Sequence, residues 1–316
     1  MANGLEIRHA VITGPTGAVG TAIIDELVSQ GTKVTAVCRS GSKRRSAIPE
    51  SDLVRVVDCS LDSYSELPGL IGEDADAFFH LAWDGTYGAT RQDWALQELN
   101  VKYSLDAVEA AAELGCGVFV GAGSQSECGH IDGVLTPTMQ CRPDNGYGAA
   151  KLAAAEMTRA FCLHKGIRHE WCRIVSLYGP RDGGHTLIMS LINNLLDGKR
   201  PQCTPCDQIW DYIYSKDAAR AFRLVAERGV DGEVYMIASG LSRPLKDFVL
   251  DVRDAIDPAI EIGFGEMPYY PNQVMRLEAD VSNLKEHTGF VCEYSFADGI
   301  RETAKWAMAA RGMSAN

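Results

Sequence analysis

Two periods alternate along the first half of the chain. Short apolar runs at 10–13, 33–38, 53–57, 77–82 and 117–121 read as strands, the fourth apolar throughout apart from His80. Between them, 19–30 has helical spacing, with Ile23, Ile24, Leu27 and Val28 on one side, and 94–114 is a long helical stretch. A third helix, 147–165, is rich in Ala, and 168–176 contains a sixth strand. Gly31, Gly115 and Gly166 stand just past these helices, where a left-handed residue closes the last turn. Strand and helix in strict alternation predict an α/β fold, a doubly wound parallel sheet covered on both faces.

The pattern changes after Tyr178. Pro, Gly and Cys become frequent over 179–207, strands are expected at 209–215 and 233–237 around an Ala-rich helix at 217–227, and 255–296 is more irregular. This division predicts one domain from 1–178 plus about 207–240. A smaller mixed lobe takes about 179–206 and 241–316.

The 316 residues suit one domain with a lobe. Lys and Arg number 30 against 42 Asp and Glu, a net charge of −12 that argues against nucleic acid as a partner. No stretch is long enough to span a membrane, and the polar segment 1–9 does not read as a signal peptide, so the expectation is a soluble cytoplasmic protein. The ten cysteines are irregularly spread inside apolar runs, which suits reduced buried thiols. Cys203 and Cys206 have the spacing of half a zinc site, but no second half follows, and no metal is expected.

The first strand runs into Thr13-Gly14-Pro15-Thr16-Gly17-Ala18-Val19-Gly20 and then a helix. Glycines at 14, 17 and 20 fit a dinucleotide-binding turn: one for the tight turn, one for the approach of the pyrophosphate, one for helix–strand packing. The second strand ends at Cys38, where a carboxylate would select NAD. Arg39 and Ser40 follow, and a basic cluster continues through Arg45, so NADP(H) is favoured over NAD(H). Tyr147 and Lys151 share a helix face at i, i+4, where an ammonium would lower the phenol pKa and suit it to acid/base work. Ser124 follows the fifth strand, at the sheet edge where open α/β folds place their sites.

Together these residues resemble the extended short-chain dehydrogenase/reductase family, in its nucleotide-sugar epimerase/dehydratase branch. The likeness covers nearly the whole chain. It also rests on Tyr178-Gly179-Pro180, on 208–217 and on 279–284. The resemblance implies a Rossmann domain and a hydride transfer at hexose C4, by a 4-ketoreductase or a 4-epimerase. Tyr147 would move the hydroxyl proton, Lys151 would hold the nicotinamide ribose and tune Tyr147, and Ser124 would orient the reacting oxygen. Cofactor contacts would come from Gly14, Thr16, Gly17, Ala18, Val19 and Gly20, and from Arg39 and Ser40. Asp58 with Cys59 would meet the adenine. Leu81, Ala82 and Trp83 would line the cofactor, with Asn100 and Ile174 behind. The implied partners are a sugar nucleotide and a second copy of the chain, paired through the Ala-rich helix and the one before it.

Two features depart from the family pattern. Dehydratases carry an Asp-Glu pair directly after the catalytic Ser or Thr, whereas Gln125 and Ser126 stand here, with Glu127 one residue out of register. The two arginines that clamp the substrate pyrophosphate are replaced by Trp210 and Tyr270, with Arg276 near the second. Trp83, Thr86, Ser126, His185, Trp210, Tyr270 and Arg276 are the candidate substrate contacts. The alternatives are a carbonyl reductase on a non-nucleotide substrate, a 4,6-dehydratase, and a non-catalytic NADP(H) sensor, the last opposed by an intact Ser124, Tyr147 and Lys151.

Overall fold

A computed structural model describes residues 4–271 and 273–313. The first half forms β1 (His9–Thr13), α1 (Ala18–Ser29), β2 (Lys33–Cys38), β3 (Val54–Asp58), α2 (Leu67–Ile71), β4 (Ala77–His80), α3 (Trp94–Glu113), β5 (Val118–Ser124), β6 (Gly133–Leu135), α4 (Gly146–Lys165) and β7 (Arg168–Ile174). The second half forms β8 (Leu177–Tyr178), α5 (Leu187–Leu196), β9 (Ile209–Trp210), β10 (Ile213–Tyr214), α6 (Ser215–Arg228), β11 (Val234–Ile237), β12 (Arg243–Pro244), α7 (Leu245–Ile256), β13 (Arg276–Ala279), α8 (Ser282–Thr288) and α9 (Phe296–Ala310).

Seven strands make one sheet in the order β3-β2-β1-β4-β5-β7-β11, and every pairing in it is parallel. Apolar residues on both faces of each strand explain why the strands read as continuous runs. On β1, Ala10 and Ile12 pack with α1 and α6 residues, while Val11 packs with Ala107, Val108 and Ala111 of α3 on the other face. The dyad repeat of a strand thus feeds two cores at once.

A third core belongs to the lobe. There Ile188, Leu191 and Ile192 of α5 meet Phe248 and Val252 of α7 and Ile300 of α9. A four-stranded sheet, β12-β9-β13-β6, edges this lobe and takes β6 from within residues 1–178.

Two expectations need correction. The stretch 209–215 is not one strand: β9 and β10 are two-residue strands in different sheets. Between them the buried Asp211 accepts from the Ser239 and Gly240 amides at 2.9 and 2.8 Å, which bends the chain out of a single ladder. The fourth strand ends at His80, two residues early, because the Leu81 and Ala82 amides turn onto the Thr13 hydroxyl at 3.1 and 3.2 Å. Within the region read as irregular, β13 and α8 are regular elements. No described helix is long and apolar enough to cross a membrane.

Candidate active site

Gly14, Gly17 and Gly20 do three different jobs. Gly14 has φ +70°, and a methyl there would lie 2.8 Å from the Ala82 amide nitrogen, so the turn after β1 and the segment after β4 touch backbone to backbone. A methyl on Gly20 would overlap the Gly14 carbonyl, so its absence sets the seat of α1 on the sheet. A methyl on Gly17 would meet nothing within 4 Å. Gly17 is the N-cap of α1 and offers no side-chain cap, so the first amides of that helix lack a side-chain partner and open space lies beside Gly17. Thr16, Ala18 and Val19 flank that space in sequence. The cradle fits a dinucleotide pyrophosphate.

Thr13 organises the adjoining wall. Its oxygen accepts from two amides, which leaves its hydrogen for His80 Nδ1 at 3.0 Å. His80 Nε2 then carries the proton and donates to Ser104 Oγ at 3.1 Å, and Ser104 donates to the Asn100 carbonyl at 2.8 Å. Burial pushes the His80 pKa down to about 3, with the Lys151 charge adding to the effect, so the ring stays neutral. Asn100 is buried with its amide bonded to the Asp84 backbone in both directions at 2.9 Å. In this structure it holds the loop beyond Leu81, Ala82 and Trp83.

Arg39 and Ser40 are exposed just past β2. Asp58 pairs with Arg45, and Cys59 is buried with its thiol against the Ser63 carbonyl at 3.3 Å. Ile174 ends β7 beside Ser124 of β5 in register.

Ser124, Tyr147 and Lys151 converge at the carboxyl end of the sheet. Asn145 caps α4 by accepting from the Gly148 amide at 2.9 Å, which fixes Tyr147 in the first turn. The Trp83 ring stands edge-on to Tyr147, with centroids 6.1 Å apart. Burial pushes the Tyr147 pKa up, while the Ser124 hydroxyl and the Arg91 charge pull it down. Lys151 is buried too, donating to the Ala122 carbonyl at 2.7 Å with Nζ 3.7 Å from the Trp83 ring centroid. Burial lowers its pKa to about 7, against the opposing pull of Glu127. A second cation also lies on the Tyr147 ring, Arg91, with Cζ 4.4 Å from the centroid. Sequence reading passed over Arg91, since it lies in the stretch before α3 with no periodic partner.

Glu127 turns inward, fully buried. Its carboxylate accepts from the Ser124 amide at 2.6 Å, from Trp171 Nε1 at 3.0 Å and from Arg173 Nε at 2.9 Å. It therefore braces the Ser124 turn from behind. Cys128 is buried and hydrogen-bonded to Cys141, sulfur to sulfur 3.8 Å.

The candidate substrate residues scatter. Thr86 and Ser126 gather at Arg91, which donates to the Thr86 carbonyl at 3.3 Å and to Ser126 Oγ at 2.7 Å. His185 stacks on Tyr87 with centroids 3.6 Å apart, joining the loop after β4 to the segment before α5. Trp210 is half-buried: its indole N–H donates to Ser176 Oγ at 2.9 Å and its ring packs against two cores. Tyr270 is 71% exposed. Arg276 pairs with Glu278, which competes with any phosphate. Among the described residues no group of three or more His, Cys, Asp or Glu side chains is gathered to hold a metal ion.

The model of the NAD dependent epimerase/dehydratase family matches residues 10–238, from β1 through β11. The chain belongs to that family, of the extended short-chain dehydrogenase/reductase type. Among curated relatives, a dTDP-glucose 4,6-dehydratase of Shigella flexneri is 30% identical over 56% of this chain and 51% of its own. The chain thus spans about half the length of the first curated relatives it matches. A CDP-abequose synthase of Salmonella typhimurium is 24% identical over 94% of this chain and 98% of its own. Among solved structures, a UDP-N-acetylglucosamine 4-epimerase of Methanobrevibacter ruminantium superposes with TM-score 0.86 at 22% identity, covering 96% of this chain and 99% of that one. A UDP-glucose 4-epimerase of Thermotoga maritima gives TM-score 0.85 at 20% identity, with the same coverage. At these identities the structural likeness speaks to the fold.

Proposed function

We propose that this protein transfers hydride at C4 of a nucleotide-linked hexose, as a 4-ketoreductase or a 4-epimerase, with Tyr147 as the acid/base. The observation that carries the reading is the convergence of Ser124, Tyr147 and Lys151 behind the Trp83 wall, next to an anion cradle at Gly17. The bound nicotinamide would exchange hydride with the sugar carbon. The chain's own residues would do the rest. Ser124 holds the reacting oxygen, Tyr147 gives or takes its proton, and Lys151 anchors the ribose. Dehydration is disfavoured, because Gln125 and Ser126 follow Ser124 and the nearest acid, Glu127, is committed to Arg173 and Trp171. Cys38 with the exposed Arg39 and Ser40 supports NADP(H) over NAD(H). We also infer a homodimer through α3 and α4.

A second reading, carbonyl reduction of a non-nucleotide substrate, is favoured by one observation. Trp210, Tyr270 and the paired Arg276 offer no free guanidinium for a pyrophosphate. One experiment separates the two. The dinucleotide carried by purified protein is released and identified, and UDP, GDP, CDP and dTDP are titrated against thermal stability. Exchangeable NADPH and stabilisation by one nucleotide are expected for the reductase, and tightly held NAD for the epimerase. Stabilisation by none would leave the second reading. Tyr147→Phe should lower kcat at least about 100-fold, the scale of one general acid/base.

A further inference from the structure

Resting on the reading of Tyr147 as the acid/base, we propose that Arg91 is a positioning residue whose guanidinium holds Tyr147 in place and supplies the permanent positive charge that readies its phenol for proton transfer.

The geometry is specific. Arg91 lies over the Tyr147 ring at 4.4 Å, and its two terminal nitrogens are anchored on Ser126 Oγ at 2.7 Å and the Thr86 carbonyl at 3.3 Å. Its own segment is pressed onto the start of α4. The Gly146 amide donates to Gln92 Oε1 at 3.1 Å, and a methyl on Gly146 would lie 2.9 Å from the Arg91 carbonyl. One side chain thereby joins the loop after β4, the turn after Ser124 and the first turn of α4. Those are the three segments that must stay in register for Ser124 and Tyr147 to meet one oxygen.

The other charged groups facing Tyr147 leave this role open. Lys151 spends a hydrogen bond on the Ala122 carbonyl and lies against Trp83, and burial draws its pKa to about 7, so much of its charge is lost just above neutrality. Glu127 would oppose a phenolate, but Arg173 is 2.9 Å from its carboxylate. His80 is neutral. A guanidinium keeps its charge throughout this range, and a cation on the face of the ring stabilises the phenolate more than the phenol.

The test places difluorotyrosine at position 147, whose more acidic phenol titrates within the range the fold tolerates, and follows it by fluorine NMR in the full chain. Arg91→Gln should raise the midpoint by about one to two pH units, the scale of one unit charge at this range between a protein-like dielectric and that of water. Arg91→Lys should restore most of the shift. Arg91→Met, which keeps the aliphatic stem, repeats the test should the Gln variant fail to fold. An unmoved midpoint in the neutral variants, or equal shifts in Gln and Lys variants, would overturn the proposal. The readout needs no turnover. Absence of activity on every sugar nucleotide would therefore sink the parent reading while leaving this one measurable. In an active enzyme with natural Tyr147, the limb of kcat/KM that reports its phenol, alkaline for ketone reduction and acid for alcohol oxidation, should move upward in Arg91→Gln by the same amount, and a limb that stays put would count against Arg91.

Discussion

Lys151 shows what the site costs the fold. Its amine is buried and its pKa falls from 10.5 to about 7. Between those two values the unfolded chain binds the extra proton, so stability rises with pH across that window and the full penalty is present below it. Lys151→Met should therefore raise the melting temperature at pH 6 to 7, by an amount equivalent to a few kcal/mol. The gain should shrink toward pH 10, in thermal scans of dinucleotide-free protein, while turnover is lost. Ser124, Tyr147 and Lys151 were singled out from the sequence as candidates because each sits at a fixed place on or beside a periodic element. Arg91 and Glu127 were not. The partners of Glu127 lie 44 and 46 residues away, at Trp171 and Arg173, and only the β5–β7 pairing brings them together.

At the scale of elements, legibility followed the length of the period. Strands β1, β2, β4, β5 and β7 and helices α1, α3 and α4 are long enough for their pattern to identify them, and their ends fall within a few residues of those read from the chain. The lobe is built of two- to four-residue strands, too short to show a period of two, and one buried Asp decides where 209–215 breaks. The glycine turn was read as one motif, and the structure separates its members by what a side chain would meet at each. Gly17→Ala should leave melting within about 1 kcal/mol, the scale of a weakened N-cap. It should still weaken dinucleotide binding, because its methyl enters the space proposed for the pyrophosphate. Gly20→Ala forces α1 against the Gly14 carbonyl and should destabilise the apo fold by about 1–3 kcal/mol, as overpacking does. Melting curves paired with fluorescence titration of the dinucleotide test both. A Gly17→Ala protein that binds normally would refute the assignment of that space.

For the molecule as a whole, the issue is how two helices on one face of the sheet are covered. The small residues of α4 were read as a dimer seam, but Ala150, Ala154 and Ala155 are buried within the chain. Beside that contact an outward stripe remains. Ala153, Met157 and Ala160 follow each other on α4 at i, i+4, i+7, and Leu99 rises from α3, with Met157 48% and Leu99 44% exposed. The net charge of −12 would repel two copies at most orientations, so an association should use the surface with the fewest carboxylates. On α3 and α4, Asp106, Glu109 and Glu156 are paired with Lys102, Lys165 and Arg159, which lessens that repulsion on this face. A two-fold pairing of α3 and α4 would make a four-helix layer across the interface. Sedimentation equilibrium should then give twice the chain mass of 34.3 kDa. Leu99→Glu with Met157→Glu should place four carboxylates across the two-fold axis and yield monomers with unchanged circular dichroism. Because the residues proposed to hold the dinucleotide all lie in one chain, those monomers should keep dinucleotide affinity. A wild-type monomer, or a double variant that still pairs, would move the interface elsewhere.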